Sequence, residues 1–271
     1  MKKLNLHLIS DSTGETLGSV SRAVISQFDN VEVEEFIWPL TRDINQIERI
    51  KDSITNSPGI VLYTILKDEL TKTLRRHCDD LNLPCISALS MIISQFSRYL
   101  KMDVSGSIGR QYTLDEEYFS KVEAINYTIE HDDGKKIRDL DSADIIIIGV
   151  SRTSKSPTSI FLSCRGYKTT NIPFVDLESF PKEIYEVKKP LIVGLMIDPE
   201  KLLQVRKARI SSMGDTNIET NYIKIEKIKN EVAKSRILFS KLKCPIIDVT
   251  RRSVEETSAK IMQLYVSRTE K

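Results

Sequence analysis

Residues 4–10 (LNLHLIS) alternate apolar and polar positions and then turn apolar, which predicts a strand. Residues 15–28 carry Leu17, Val20, Val24, Ile25 and Phe28 at helical spacing. Residues 31–40 (VEVEEFIWPL) return to a strand pattern that Pro39 ends, and 43–55 are helical. The apolar run GIVLYTIL at 59–66 fits a buried strand. A helix follows near 67–81, a short strand near 84–88, and a helix to about 102. Residues 103–114 (DVSGSIGRQYTL) break this rhythm and read as a linker or functional loop. A helix near 115–130 and the turn-like His131-Asp132-Asp133-Gly134 come next.

The second half opens with DIIIIGV at 144–150, whose four consecutive isoleucines suit a strand buried on both faces. Further strands are expected at 171–176, 191–198 and 244–249, and helices at 156–165, 199–213, 219–242 and 253–268. Strands and helices alternate, which predicts parallel sheets flanked by helices. The expected class is α/β: an N-terminal parallel-sheet domain followed by a P-loop, kinase-like parallel-sheet domain. The boundaries read as 1–102, a connecting loop and helix at 103–143, and 144–271.

Composition narrows the picture. The 271 residues hold 40% apolar and 29% charged positions, an ordinary globular balance. Forty basic against thirty-eight acidic residues give a formal charge of +2, so nothing favours bulk nucleic-acid binding. Cys78, Cys85, Cys164 and Cys244 form no C-x-x-C pair and read as buried thiols of a reducing compartment. The start lacks a signal-peptide core, and no apolar run approaches the ~20 residues of a membrane helix. A cytoplasmic protein with no membrane partner is expected.

The candidate chemistry lies between the isoleucine strand and the next helix. Gly149-Val150-Ser151-Arg152-Thr153-Ser154-Lys155-Ser156 matches G-x-x-x-x-G-K-[ST] at the first Gly, the Lys and the final Ser. In such a turn backbone N–H groups and the helix N-terminus face phosphates. Lys155 is expected to reach the terminal phosphate oxygens and Ser156 to help hold Mg²⁺. Ser154 must take a conformation glycine adopts more cheaply. Three expected strands end in aspartate, at Asp176, Asp198 and Asp248, where open α/β sheets bind ligands. Asp198 is the metal-side candidate and Asp176 the acceptor-side candidate; the plain alternative is that each caps the following helix.

Other segments are less pointed. Arg206, Arg209, Arg251 and Arg252 could clamp phosphates, but a solvated basic face is the simpler reading. The Ser10–Thr16 turn could bind an anion or a partner, or could equally be an N-cap eased by Gly14. His131 beside Asp132 and Asp133 suggests either an acid–base pair or, more simply, a solvated turn. His7 and His77 read as structural or surface residues.

Five stretches together resemble the bacterial pyruvate, phosphate dikinase regulatory proteins: HLISDSTGET (7–16), AINYTIEHDDG (124–134), DIIIIGVSRTSKSPTSIFL (144–162), DPEKLLQVRKARI (198–210) and PIIDVTRRSVEET (245–257). The similarity runs over essentially the whole chain. Ser-Lys in the loop and SDSTGET at the first turn set it apart from the sister group that regulates phosphoenolpyruvate synthase, where Gly-Lys is usual. Ser156 departs from the expected Thr but keeps the hydroxyl. The resemblance implies a bifunctional serine/threonine kinase and phosphorylase. It would use ADP to phosphorylate an active-site threonine of pyruvate, phosphate dikinase. It would remove that phosphate with inorganic phosphate to give diphosphate. The residues themselves reach only phosphoryl transfer on a P-loop. A regulator of phosphoenolpyruvate synthase, a small-metabolite kinase and a non-catalytic nucleotide sensor stay open, as does a homodimer. The loop at 103–114, with Arg110, is the expected docking element for the partner enzyme.

Overall fold

The computed structural model describes residues 1–106, 116–137, 139–213 and 220–269. Arg110, the expected docking arginine, lies outside them. The chain divides into two compact units, Met1–Thr113 and Leu114–Lys271. Each is built on its own four-stranded parallel sheet, as the alternation of strands and helices predicts.

In the first unit β1 (Lys2–Ser10), β2 (Val31–Trp38), β3 (Ile60–Thr64) and β4 (Cys85–Ser87) line up in the order β2-β1-β3-β4. Helices α1 (Glu15–Ile25), α2 (Ile44–Asn56), α3 (Asp68–Asp80) and α4 (Ser90–Leu100) connect or follow them. Side chains alternate across a strand. Leu6 and Leu8 of β1 therefore pack with Leu17 of α1, and Ile9 joins Ile47, Ile50, Leu70 and Leu74 of α2 and α3. His7 is fully buried, stacked 4.7 Å from Phe36 with Nε2 2.8 Å from the Ser57 carbonyl, and is structural. A reciprocal Asp43–Gln46 capping box starts α2. α4 is the exception: none of its residues is buried.

The Ser10–Thr16 turn is tied into this unit. Ser10 Oγ accepts from Ser12 N at 3.1 Å and Thr64 Oγ1 at 3.0 Å, and Asp11 Oδ2 accepts from Leu66 N at 2.9 Å. Gly14 takes the left-handed N-cap position of α1 at φ 82°.

In the second unit β5 (Ile145–Val150), β6 (Thr169–Phe174), β7 (Leu191–Met196) and β8 (Ile246–Asp248) run in the order β6-β5-β7-β8. All six residues of β5 are buried, as the isoleucine run requires. Helix α5 (Glu116–Glu130) packs on β6 and on α6 (Lys155–Ser163), and α7 (Pro199–Met213), α8 (Ile225–Leu242) and α9 (Val254–Thr269) complete the layers. A Cβ on Gly194 of β7 would stand 2.7 Å from the Phe239 ring of α8, so glycine lets the helix pack this closely. Ser253 and Glu256 form the capping box of α9.

Several boundaries differ from the pattern reading, β7 ending at Met196 among them. β6 starts and ends two residues early, because Thr169 and Thr170 are buried and pair with β5 despite their hydroxyls. α8 begins at Ile225, after a 3₁₀ turn at Thr220–Ile223, not at 219. β8 covers only Ile246–Asp248. The four cysteines are free thiols, but only Cys78 is buried and Cys164 is exposed, just past the end of α6. No helix among the described residues is long and apolar enough to cross a membrane.

Candidate functional site

β5 is followed in sequence by β6 on one side of it and then by β7 on the other. The carboxyl end of β5 is thus the topological switch point, where open α/β sheets form a crevice. The loop from Ser151 to Ser154 lies there and leads into α6 at Lys155. It is built on two left-handed non-glycine residues, Arg152 at φ 73° and Ser154 at φ 60°. The strain expected at Ser154 is therefore real. Thr153 braces the turn by donating from Oγ1 to the Val150 carbonyl at 2.9 Å. Gly149 permits this closure: a Cβ there would stand 2.7 Å from Thr153 Oγ1 and 3.1 Å from the Leu195 carbonyl oxygen. Pro157 sits in the first turn of α6, where its missing N–H costs nothing.

Lys155 folds back over the strand end. Its Nζ donates to the Val150 carbonyl at 3.2 Å, and the side chain is 6% exposed. Burial pushes its pKa down to about 8, against the opposing pull of Asp133, Glu231 and Asp132. No carboxylate lies within ion-pair distance of it among the described residues. Beside it opens a cavity of about 450 Å³, lined by Asp133, Arg152, Ser154, Ser156 and Pro173 among others. By rule the first N–H groups of a helix have no intrahelical partner, and those of α6 start at this cavity.

The loop is held from behind by Arg206 of α7, which is 2% exposed. Its guanidinium makes a two-pronged contact with Glu231 of α8 at 2.9 and 3.0 Å and donates to the Ser151 carbonyl at 3.3 Å. It also lies 4.4 Å above the Tyr222 ring, whose hydroxyl is 3.3 Å from Ser151 Oγ. The solvated-face reading thus fails for Arg206. Arg209, Arg251 and Arg252 are exposed. Arg206 follows Leu202 by one turn on the buried stripe of α7, a spacing visible in the sequence.

The His131–Gly134 turn is solvated only in part, Asp133 being exposed. His131 is buried, stacked 3.8 Å from Tyr127, with Nε2 2.8 Å from Asp139 Oδ1. The partner of this histidine is thus Asp139, not its sequence neighbours. Asn171 of β6 donates to Asp132 Oδ1 at 2.5 Å and accepts from Asp133 N at 3.2 Å. These bonds dock the turn on β6 and bring Asp133 to the cavity wall. Nothing in the local sequence ties Asp133 to Lys155; the pairing of β6 with β5 does.

The strand-end aspartates are placed otherwise. Asp176 lies two residues beyond β6, accepts from Leu177 N at 2.6 Å and pairs with Lys234 at 3.0 Å, which holds its carboxyl below the usual range. Asp198 caps α7, accepting from Glu200 N at 2.9 Å and Lys201 N at 3.0 Å. Asp248 accepts from Thr250 N and Oγ1 at 2.9 and 2.5 Å, which lowers its pKa. None of the three lines the cavity beside Lys155.

The chain is similar to known proteins over almost its whole length. A family model described as kinase/pyrophosphorylase matches residues 6–262. A protein of Erythrobacter litoralis (strain HTCC2594), named as a pyruvate, phosphate dikinase regulatory protein, is 44% identical over 268 residues, covering 99% of this chain and 96% of its own length. Proteins of the same name from Bradyrhizobium sp. (strain ORS 278) and Rhodopseudomonas palustris (strain BisB18) are 44% and 43% identical over 264 residues, covering 97% of this chain and 95% of theirs. Among solved structures, a LacI transcriptional regulator from Lactobacillus brevis aligns over 92% of this chain and 98% of its own at 10% identity, with a TM-score of 0.24 that carries no argument. With a family model over nearly its whole length and relatives this similar, the chain belongs to the kinase/pyrophosphorylase family.

Proposed function

We propose that this protein is a bifunctional regulator of pyruvate, phosphate dikinase. It phosphorylates an active-site threonine of that enzyme with ADP as donor, and removes the phosphate with inorganic phosphate, giving diphosphate. The observation that carries the reading is Lys155, an ammonium held nearly out of water beside an open cavity at the start of a helix. A buried cation with no paired carboxylate is costly until an anion arrives, so the site is poised for one. The family description pairs a kinase with a pyrophosphorylase, and the relatives' names supply the target.

In the kinase direction the loop N–H groups of residues 151–156 and Lys155 hold the β-phosphate of ADP and neutralise its oxygens. The threonine Oγ forms a bond to Pβ as the bond from Pβ to the bridging oxygen breaks, and AMP leaves with that oxygen. Asp133, the carboxylate on the cavity wall, takes the hydroxyl proton. In the phosphorylase direction an oxygen of inorganic phosphate bonds to the phosphothreonine phosphorus. The P–Oγ bond breaks, Oγ regains a proton, and diphosphate leaves. Asp133 takes here the role that strand-end logic gave to Asp176 and Asp198.

The Ser156 hydroxyl is a hard oxygen donor that suits Mg²⁺, which is held largely by substrate phosphates. No three His, Cys, Asp or Glu side chains gather among the described residues, so phosphate and water oxygens would complete the shell. The ion, when bound, offsets negative charge on the phosphates.

The test is mass spectrometry of the dikinase after incubation with this protein and ADP, beside an ATP control and a Lys155→Ala control. A threonine phosphate is expected with ADP alone and only with Lys155 present. Equal phosphorylation by Lys155→Ala would overturn the reading.

A further inference from the structure

The first unit holds a cavity of about 920 Å³ at the carboxyl ends of β3 and β4, between α3 and α4. That size suits a small ligand, and that end of a parallel sheet is where ligands sit. One wall is an inverted helix. Ser90, Ser94, Ser97 and Arg98 of α4 line the cavity together with Ile93. Met91, Ile92, Phe96, Tyr99 and Leu100 of the same helix face outward, at 51–88% exposure. At 3.6 residues per turn Ile92, Phe96 and Tyr99 lie opposite the three serines, and Arg98 falls at the edge of the serine face beside Met91. A helix that merely closed an apolar core would present the other face.

Two guanidinium groups reach the same space. Arg75 of α3 donates from Nε to Tyr63 Oη at 2.6 Å and lies 5.6 Å from that ring's centre. This contact fixes one edge of its planar fork and leaves the other donors for a ligand. Arg98 is steadied by Gln95. Neither arginine forms an ion pair among the described residues. Among the described lining residues Asp68 is the carboxylate, so two guanidinium groups stand against one anion.

We propose that this cavity binds a phosphate monoester, held by Arg75 and Arg98 with the serine hydroxyls of α4 as further donors. Guanidinium forks match phosphate oxygens, and hydroxyls complete such shells without adding charge. The ester is either a free small molecule or a phosphorylated side chain of a protein. The proposal does not depend on the loop at Gly149.

Titration calorimetry on the full chain carrying Lys155→Ala isolates this site from the loop. Phenyl phosphate and a short phosphoserine peptide are the probes. Saturable binding of at least one is expected, weakened tenfold or more by Arg98→Gln and by Arg75→Gln, and less by Arg75→Lys. Binding of phenyl phosphate alone assigns a free ester; binding of the peptide alone assigns a phosphorylated side chain. Arg98 is exposed, so Arg98→Gln should melt with its parent and decides the matter if Arg75→Gln unfolds. Absence of saturable binding by both probes, or affinity unchanged in Arg98→Gln, overturns the proposal. Either outcome leaves the dikinase assay above to stand or fall by itself.

Discussion

Burial gives Lys155 a proton that it holds loosely at mildly alkaline pH. Its folded pKa of about 8 lies below the ordinary 10.5, so between these values the folded state binds fewer protons than the unfolded state. Stability of the free protein should therefore rise with pH across that window. Binding of ADP should do the opposite, weakening as pH climbs through 8, because the lysine must regain its proton to meet the phosphates. Calorimetry at pH 8.5 in buffers of different ionisation enthalpy should register proton uptake on binding, and Lys155→Ala should abolish it. Ser154 is a second residue whose energetics are open to measurement. A left-handed non-glycine residue costs ~1 kcal/mol, so Ser154→Gly should stabilise the fold by about that much in a denaturant titration while retaining ADP binding. Both residues were legible in the sequence, because the motif spacing fixes what each position must do. Asp133 stood out in the sequence only as a neighbour of His131; its place at the cavity wall depends on Asn171, thirty-eight residues away.

At the scale of elements, the site is assembled by docking. The His131–Gly134 turn is attached to β6 through Asn171, which is fully buried and bonds to Asp132, to Asp133 N and to Ser159 Oγ. Asn171→Ala leaves those groups without their partner, at an expected cost of about 1–3 kcal/mol. Steady-state assays at a temperature where the variant remains folded should show a lower kcat, because Asp133 is no longer fixed at the cavity. Unchanged kcat would mean that the turn holds its place without β6. The regular elements were readable from periodicity: the isoleucine run of β5 and the helical spacing of α1 need no tertiary information. The start of β6 was not, because the buried hydroxyls of Thr169 and Thr170 imitate a loop. Arg206 was misread for a related reason. A charged residue on a buried stripe looks like surface until Glu231 of another helix is seen beside it.

At the scale of the molecule, two sheets of the same strand order stand on separate cores. A ligand that binds only the folded second unit should stabilise that unit by mass action, by about 2.7 kcal/mol at a hundredfold excess over Kd. Amide exchange of β5, whose residues 145–148 are fully buried, should slow accordingly with ADP. It should not slow in Lys155→Ala. The alternation of strands and helices foretold both sheets, because parallel pairing requires a crossover between successive strands. What encloses each crevice was hidden, since it depends on which faces the crossovers bring together. The clamp on Arg206 carries this point into protein engineering. Because the floor under Ser151 is supplied by α7, α8 and Tyr222, grafting Gly149–Ser156 onto a foreign strand and helix would transplant the letters without the foundation. A working graft would have to bring along the guanidinium, its carboxylate and the aromatic ring beneath it.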